Sequence, residues 1–198
     1  FTAGNNLSLT AGTSLTANNS TVTATTGSAT IQASGGDLSM NVSTITANTS
    51  VTGTASGAML LDASTATADT DLSLTAGAAM TGTTSTFIAG HDLSLTAGTS
   101  LTANHSTVTS TTGSTTLSAN SGTLSATSAT LRAGTSLTGT AGGAVLLDAS
   151  TGVAGTTLDF AAGAALTASQ SALSAGTDLS LVRSEEHTFE LQSHLNLV

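Results

Sequence analysis

Leu7-Ser8-Leu9, Thr21-Val22-Thr23 and Thr44-Ile45-Thr46 alternate apolar and polar residues one for one, which is the period of a strand with one buried face. Thr and Val also favour strands intrinsically. Apolar residues mark a beat at Leu7, Leu15, Val22, Ile31, Leu38, Ile45, Val51, Met59, Ala66, Leu72, Met80 and Phe87. The mean spacing of about seven residues is too short for a helical hairpin repeat. The pattern predicts one short strand and one turn per beat. Regularly placed Leu and Val argue against a disordered Ser/Thr tract.

A longer repeat lies over this beat. FTAGNNLSLTAGTSLTANNSTVTATTG at 1 to 27 returns as FIAGHDLSLTAGTSLTANHSTVTSTTG at 87 to 113, an offset of 86 residues from Phe1 to Phe87. TGTASGAMLLDAST at 52 to 65 returns as TGTAGGAVLLDAST at 138 to 151, and a third copy opens with LSAGTDLSL at 173 to 181.

Three beats make a coil of about 21 to 22 residues, and successive coils then align on three faces. The first collects Leu7/Leu9, Ala29/Ile31, Val51/Gly53, Leu72/Leu74, Leu93/Leu95, Leu117, Leu137, Leu158/Phe160 and Leu179/Leu181. The second collects Leu15, Leu38, Leu61, Met80, Leu101, Leu124, Leu147 and Leu166. The third carries Val22, Ile45, Ala66, Phe87, Val108, Leu131, Gly152 and Leu173. Small-residue turns such as Gly35-Gly36, Ala76-Gly77 and Gly142-Gly143 follow the first face, where glycine is expected to supply backbone angles closed to other residues.

The fold expected is therefore all-β: a parallel β-helix, or β-solenoid, with three short strands per coil. Parallel crossover geometry favours a right-handed winding. Some eight and a half coils at about 4.8 Å each give a rod of roughly 40 Å. Asn18, Asn48 and Asn104 near the corners are candidates for stacked side-chain ladders.

Composition narrows the role. Trp, Tyr, Cys and Pro are absent and Phe occurs four times, so the core rests on aliphatic residues rather than aromatics. The formal net charge is −9, with two basic residues in the whole chain, which excludes a phosphate-neutralising patch and hence nucleic acid as a partner. The absence of Cys suits a chain that crosses membranes unfolded. No stretch is apolar enough to span a bilayer and no signal segment opens the chain, so the sequence reads as a fragment.

Catalysis and cofactors are not expected. Asp62 and Asp148 are equivalent positions four coils apart, about 19 Å by strand spacing, too far for the paired carboxylates of glycoside chemistry. Asp69 and Asp71 become Gly155 and Thr157 in the next copy. His91 and His105 replace Asn5 and Asn19, which suggests exposed, solvated corners; a metal site there needs a third ligand, for which Asp92 is the only obvious candidate. GGDLS at 35 to 39 is a single echo of calcium-binding β-roll motifs, not a repeat of one. On the third face Thr21/Thr23, Thr44/Thr46, Thr65/Thr67 and Thr107/Thr109 form outward Thr-x-Thr pairs, a pattern that resembles the flat arrays of ice-binding solenoids. Thr86/Ile88, Thr130/Arg132 and Thr151/Val153 interrupt it.

The final residues depart from the repeat. All three Glu in the chain, Glu185, Glu186 and Glu190, lie after Val182. RSEEHTFELQSH at 183 to 194 resembles the translation of a common sequencing adapter, RSEEHTSELQSH, which implies a non-biological tail over 183 to 198. The alternative is a capping helix with Ser184 as N-cap and Phe189, Leu191 and Leu195 as its apolar stripe. Without the tail, eight Asp against Arg132 leave a net charge of −7.

The repeated LSLTAGTSLTAN and STVTATTGSATI over residues 1 to 182 resemble the repeat regions of the filamentous haemagglutinin family, which includes two-partner-secretion adhesins and contact-dependent inhibition exoproteins of Gram-negative bacteria. That resemblance implies a rod exported through an outer-membrane transporter, displayed outside the cell or at its outer surface, and serving as a stalk. Its partners would be host or neighbouring-cell surfaces, contacted through regions beyond this fragment. The open ends of an isolated rod are expected to associate end to end.

Overall fold

The computed structural model describes residues 1–184, and the expected tail from Glu185 onward lies outside them. Their regular structure is strand throughout. Twenty-six strands form three parallel sheets of nine, nine and eight strands, and neighbours in each sheet are every third strand in the chain. That order is a solenoid of about nine coils, each contributing one strand to each sheet, with coils about 21 residues apart.

The first sheet holds the longest strands, such as Leu7–Ala11, Leu72–Ala76 and Leu93–Ala97. Its two inward columns run Leu7, Ala29, Val51, Leu72, Leu93, Thr115, Leu137, Leu158, Leu179 and Leu9, Ile31, Gly53, Leu74, Leu95, Leu117, Gly139, Phe160, Leu181. The third sheet stacks Val22, Ile45, Ala66, Phe87, Val108, Leu131, Gly152 and Leu173. These are the columns expected from the pattern. Away from the two ends the side chains of these columns are buried, mostly aliphatic against aliphatic, so each coil's apolar face is covered mainly by its two neighbours.

The second sheet departs from expectation in two coils. Leu15, Leu38, Met59, Met80, Leu101, Leu124, Val145 and Leu166 share its register, so Met59 and Val145 hold the places given above to Leu61 and Leu147. Most strands here are two residues long. Residues two apart both point inward, and Leu61 and Leu147 are each 1% exposed or less. Apolar pattern alone therefore does not separate the two registers.

Where the sheets converge, alanine fills the narrow corners. Ala33, Ala76, Ala97 and Ala119 close the first-sheet strands and Ala24, Ala47, Ala68 and Ala89 close those of the third, all buried. One coil makes a paired exchange. Thr115 stands in the leucine column and Ser110 in an alanine column; Thr115 Oγ1 lies 2.9 Å from Ser110 Oγ and donates to the Arg132 carbonyl at 2.8 Å. The two polar substitutions satisfy each other, as burial requires.

The glycine corners carry a correction. No glycine has positive φ. Gly77 and Gly98 are small for another reason: a Cβ at either would fall on the carbonyl oxygen of the coil beneath, that of Ser56 or Gly77. Close stacking, not backbone conformation, selects glycine there. The left-handed angles belong instead to Asn19, Val42, Ala63, Thr84, His105, Ser128, Ala149 and Gln170, with φ between 49° and 57°. These eight residues form one column at the corner between the second and third sheets.

Candidate functional surface

The threonines singled out in sequence come together on the outer face of the third sheet. One column runs Thr21, Thr44, Thr65, Thr86, Thr107, Thr130, Thr151 without a break. The parallel column runs Thr2, Thr23, Thr46, Thr67, Ile88, Thr109, Arg132, Val153. Thr21/Thr23, Thr44/Thr46 and Thr65/Thr67 are thus adjacent pairs, while Thr107/Thr109 is set apart from them by the Thr86/Ile88 coil.

A second hydroxyl surface escaped the sequence reading. On the first sheet Ser8, Thr30, Thr52, Ser73, Ser94, Thr116 and Thr138 align, beside Thr10, Gln32, Thr54, Thr75, Thr96, Ser118 and Thr140. Gln32 is its one departure over seven coils. The signal was present in the polar positions of each LSLTA-type strand, which attention to the apolar positions passes over.

The corner that precedes the third sheet has its own order. Asn18 Oδ1 accepts from the Asn41 amide at 2.9 Å, Asn41 Oδ1 from the Asp62 amide at 3.0 Å, and Asp62 Oδ1 from the Thr83 amide at 2.8 Å. Asn104 likewise accepts from the Thr127 amide at 2.9 Å. The ladder expected of Asn18 and Asn104 exists, but it links side chain to backbone across coils rather than amide to amide. Asn48 is not part of it; its amide bonds to the Ala24 carbonyl at another corner. Asp62 and Asp148 belong to this same structural column, four coils apart, joined by one-coil steps in the register.

Two residues further on, a buried serine column completes the corner. Ser43, Ser64, Ser85, Ser106, Ser150 and Ser171 are each 4% exposed or less. Ser64 Oγ accepts from the Ser43 amide at 3.0 Å and donates to the Met40 carbonyl at 2.7 Å; Ser85 Oγ accepts from the Ser64 amide at 3.1 Å and donates to the Leu61 carbonyl at 2.6 Å. Each hydroxyl thereby ties its own coil to the preceding one at the point where left-handed backbone interrupts the sheet ladder. In sequence the column is visible as a serine before the first threonine of third-sheet strands, at Ser43-Thr44, Ser64-Thr65, Ser85-Thr86, Ser106-Thr107 and Ser150-Thr151.

Of the histidines in the repeat, both lie exposed at corners, but in different company. His105 is one of the left-handed residues. His91 Nδ1 stands 3.0 Å from Asp92 Oδ2 and 3.6 Å from Asp71 Oδ1. Asp71, which the sequence does not single out beside His91, joins them here: the pairing of Leu72 with Leu93 sets it directly against Asp92 in the next coil.

Sheets, register and corners define a protein of the parallel β-solenoid class, a rod whose outer faces are rich in hydroxyl groups. No family model, curated protein or solved structure matches the chain.

Proposed function

We propose that this chain is part of the stalk of a large bacterial adhesin or exoprotein, secreted or displayed at the cell surface, which presents distal binding or toxin domains. The observation that carries this reading is uniformity: among the described residues the same inward columns pass from coil to coil, and no long loop leaves the rod between strands. Near-neutral Ser/Thr faces keep such a rod soluble without committing them to a ligand. The resemblance to filamentous haemagglutinin repeats supports the same role, with an outer-membrane transporter as the partner in export.

The test is immunogold labelling of intact Gram-negative cells carrying the parent gene, with antibody raised against this rod. Surface label removed by external protease is the expected result. Label found only after lysis would overturn the proposal.

One observation favours a second reading, ice binding: the seven-threonine column from Thr21 to Thr151 is unbroken. It ranks below the stalk because Ile88, Arg132 and Val153 spoil the companion column. Thermal hysteresis that rises with protein concentration and falls on Thr65→Leu would support it; no hysteresis at high concentration would end it.

A further inference from the structure

We propose that Asp71, His91 and Asp92 form a binding site for a divalent cation of the zinc class. Their three ligating atoms all lie within 4.8 Å of one another. Tetrahedral zinc with bonds of about 2.0 to 2.2 Å holds its ligand atoms about 3.3 to 3.6 Å apart. The separations of His91 Nδ1 from Asp92 Oδ2 and Asp71 Oδ1, 3.0 and 3.6 Å, bracket that edge. One imidazole and two carboxylates are an ordinary zinc donor set, and the imidazole selects zinc, copper or nickel over magnesium and calcium.

The coil register explains why these groups converge. Asp71 and Asp92 immediately precede the register partners Leu72 and Leu93 in successive strands of the first sheet, so two carboxylates stack about one strand spacing, ~4.8 Å, apart. Like charges that close repel, and the chain has no Lys to place between them. A cation held against both relieves the repulsion. Both carboxylates are also held by backbone donors: the Asp92 amide donates to Asp71 Oδ1 at 3.1 Å, and the Ser114 amide donates to Asp92 Oδ1 at 2.8 Å, opposite the Oδ2 that faces His91. Backbone donors of this kind fix a ligand's direction before metal arrives. All three residues are exposed, so water or a further ligand can complete the coordination shell.

Among the described residues the arrangement occurs once. The preceding copy of the long repeat has Asn5 and Asn6 in place of His91 and Asp92, and the following copy has Thr157 in place of Asp71. The stalk reading neither requires nor predicts it. It also supplies variants compatible with the fold, since His91→Asn restores a residue the first copy already carries.

The experiment is an NMR titration of the full chain with ZnCl2, following the imidazole resonances of each histidine so that His187 and His194 are read separately. The His91 resonances are expected to shift first and to saturate near one equivalent, and a large excess of MgCl2 should not reverse the shift. In calorimetry His91→Asn and Asp71→Asn should each weaken this binding event by at least ~10-fold, with unchanged circular dichroism, while His105→Asn leaves it unaltered. Zinc that moves His105 as early as His91, or an affinity undiminished in folded His91→Asn, would overturn the proposal.

Discussion

Phe160 fills the space that a side chain at Gly139 would need. The two are register partners in neighbouring strands of the first sheet, and a Cβ on Gly139 would collide with the phenyl ring. Nearer the middle of this inward column leucine stacks on leucine at Leu74 and Leu95. Gly139→Ala should therefore destabilise the rod by about 1–3 kcal/mol through overpacking. The cost should shrink in a Phe160→Leu background, where two ordinary side chains meet as they do at Leu74 and Leu95. Urea unfolding of the four members of this cycle measures the coupling; additive effects would show that the ring does not set the glycine.

The serine column has one gap. Ala129 stands where Ser64, Ser85 and Ser106 stand in their coils, so the Ser106 amide faces a methyl group where those of Ser43 and Ser64 face an oxygen. Ala129→Ser should add about 1 kcal/mol by supplying that acceptor. The opposite change, Ser85→Ala, removes a hydroxyl that serves the Ser64 amide and the Leu61 carbonyl, and should cost about 1–3 kcal/mol. The two urea midpoints should move in opposite directions.

Left-handed backbone is least suited to β-branched side chains. Val42, at φ 53°, and Thr84, at φ 57°, occupy it in a column where Asn19 and His105 are better adapted. Val42 is also 60% exposed, so its side chain contributes little packing to offset the strain. Val42→Asn should raise stability by about 1 kcal/mol, and Asn19→Val should lower it by a similar amount. Calorimetric melting of both variants checks the prediction; equal melting temperatures would show that the corner tolerates any residue.

The inward columns could be read from sequence because parallel coils place like residues on like residues, so the apolar beat and the three-dimensional column are the same object. The slip between Leu61 and Met59 arose because both side chains point inward from a very short strand, leaving apolar pattern without a preference. The glycine positions are legible in sequence but their cause is not: at Gly77 and Gly98 it is a neighbouring coil's carbonyl, which no local turn rule contains. The threonine array was legible for the same reason as the core. Asp71 beside His91 was not, since nineteen residues, 72 to 90, separate the two, and they become neighbours only once the register between Leu72 and Leu93 is fixed.

That register also governs which deletions the fold accepts. Removing residues 72 to 92 takes out one whole coil and brings Leu93 directly after Asp71, so every column continues: Leu93 stacks on Val51 where Leu72 did, and Met59 meets Leu101 in place of Met80. Stability in a solenoid is close to a sum of coil and interface contributions, so the shortened rod should keep its β circular dichroism and unfold cooperatively at slightly lower urea. Removing only 72 to 81 is a smaller loss of mass but a larger physical insult. It shifts later residues onto the wrong sheet and sends leucines to positions meant for Ser and Thr. That variant should be aggregated or unfolded by gel filtration and circular dichroism. If the ten-residue deletion folded as well as the twenty-one-residue one, stacking of like on like would not be what holds this chain together.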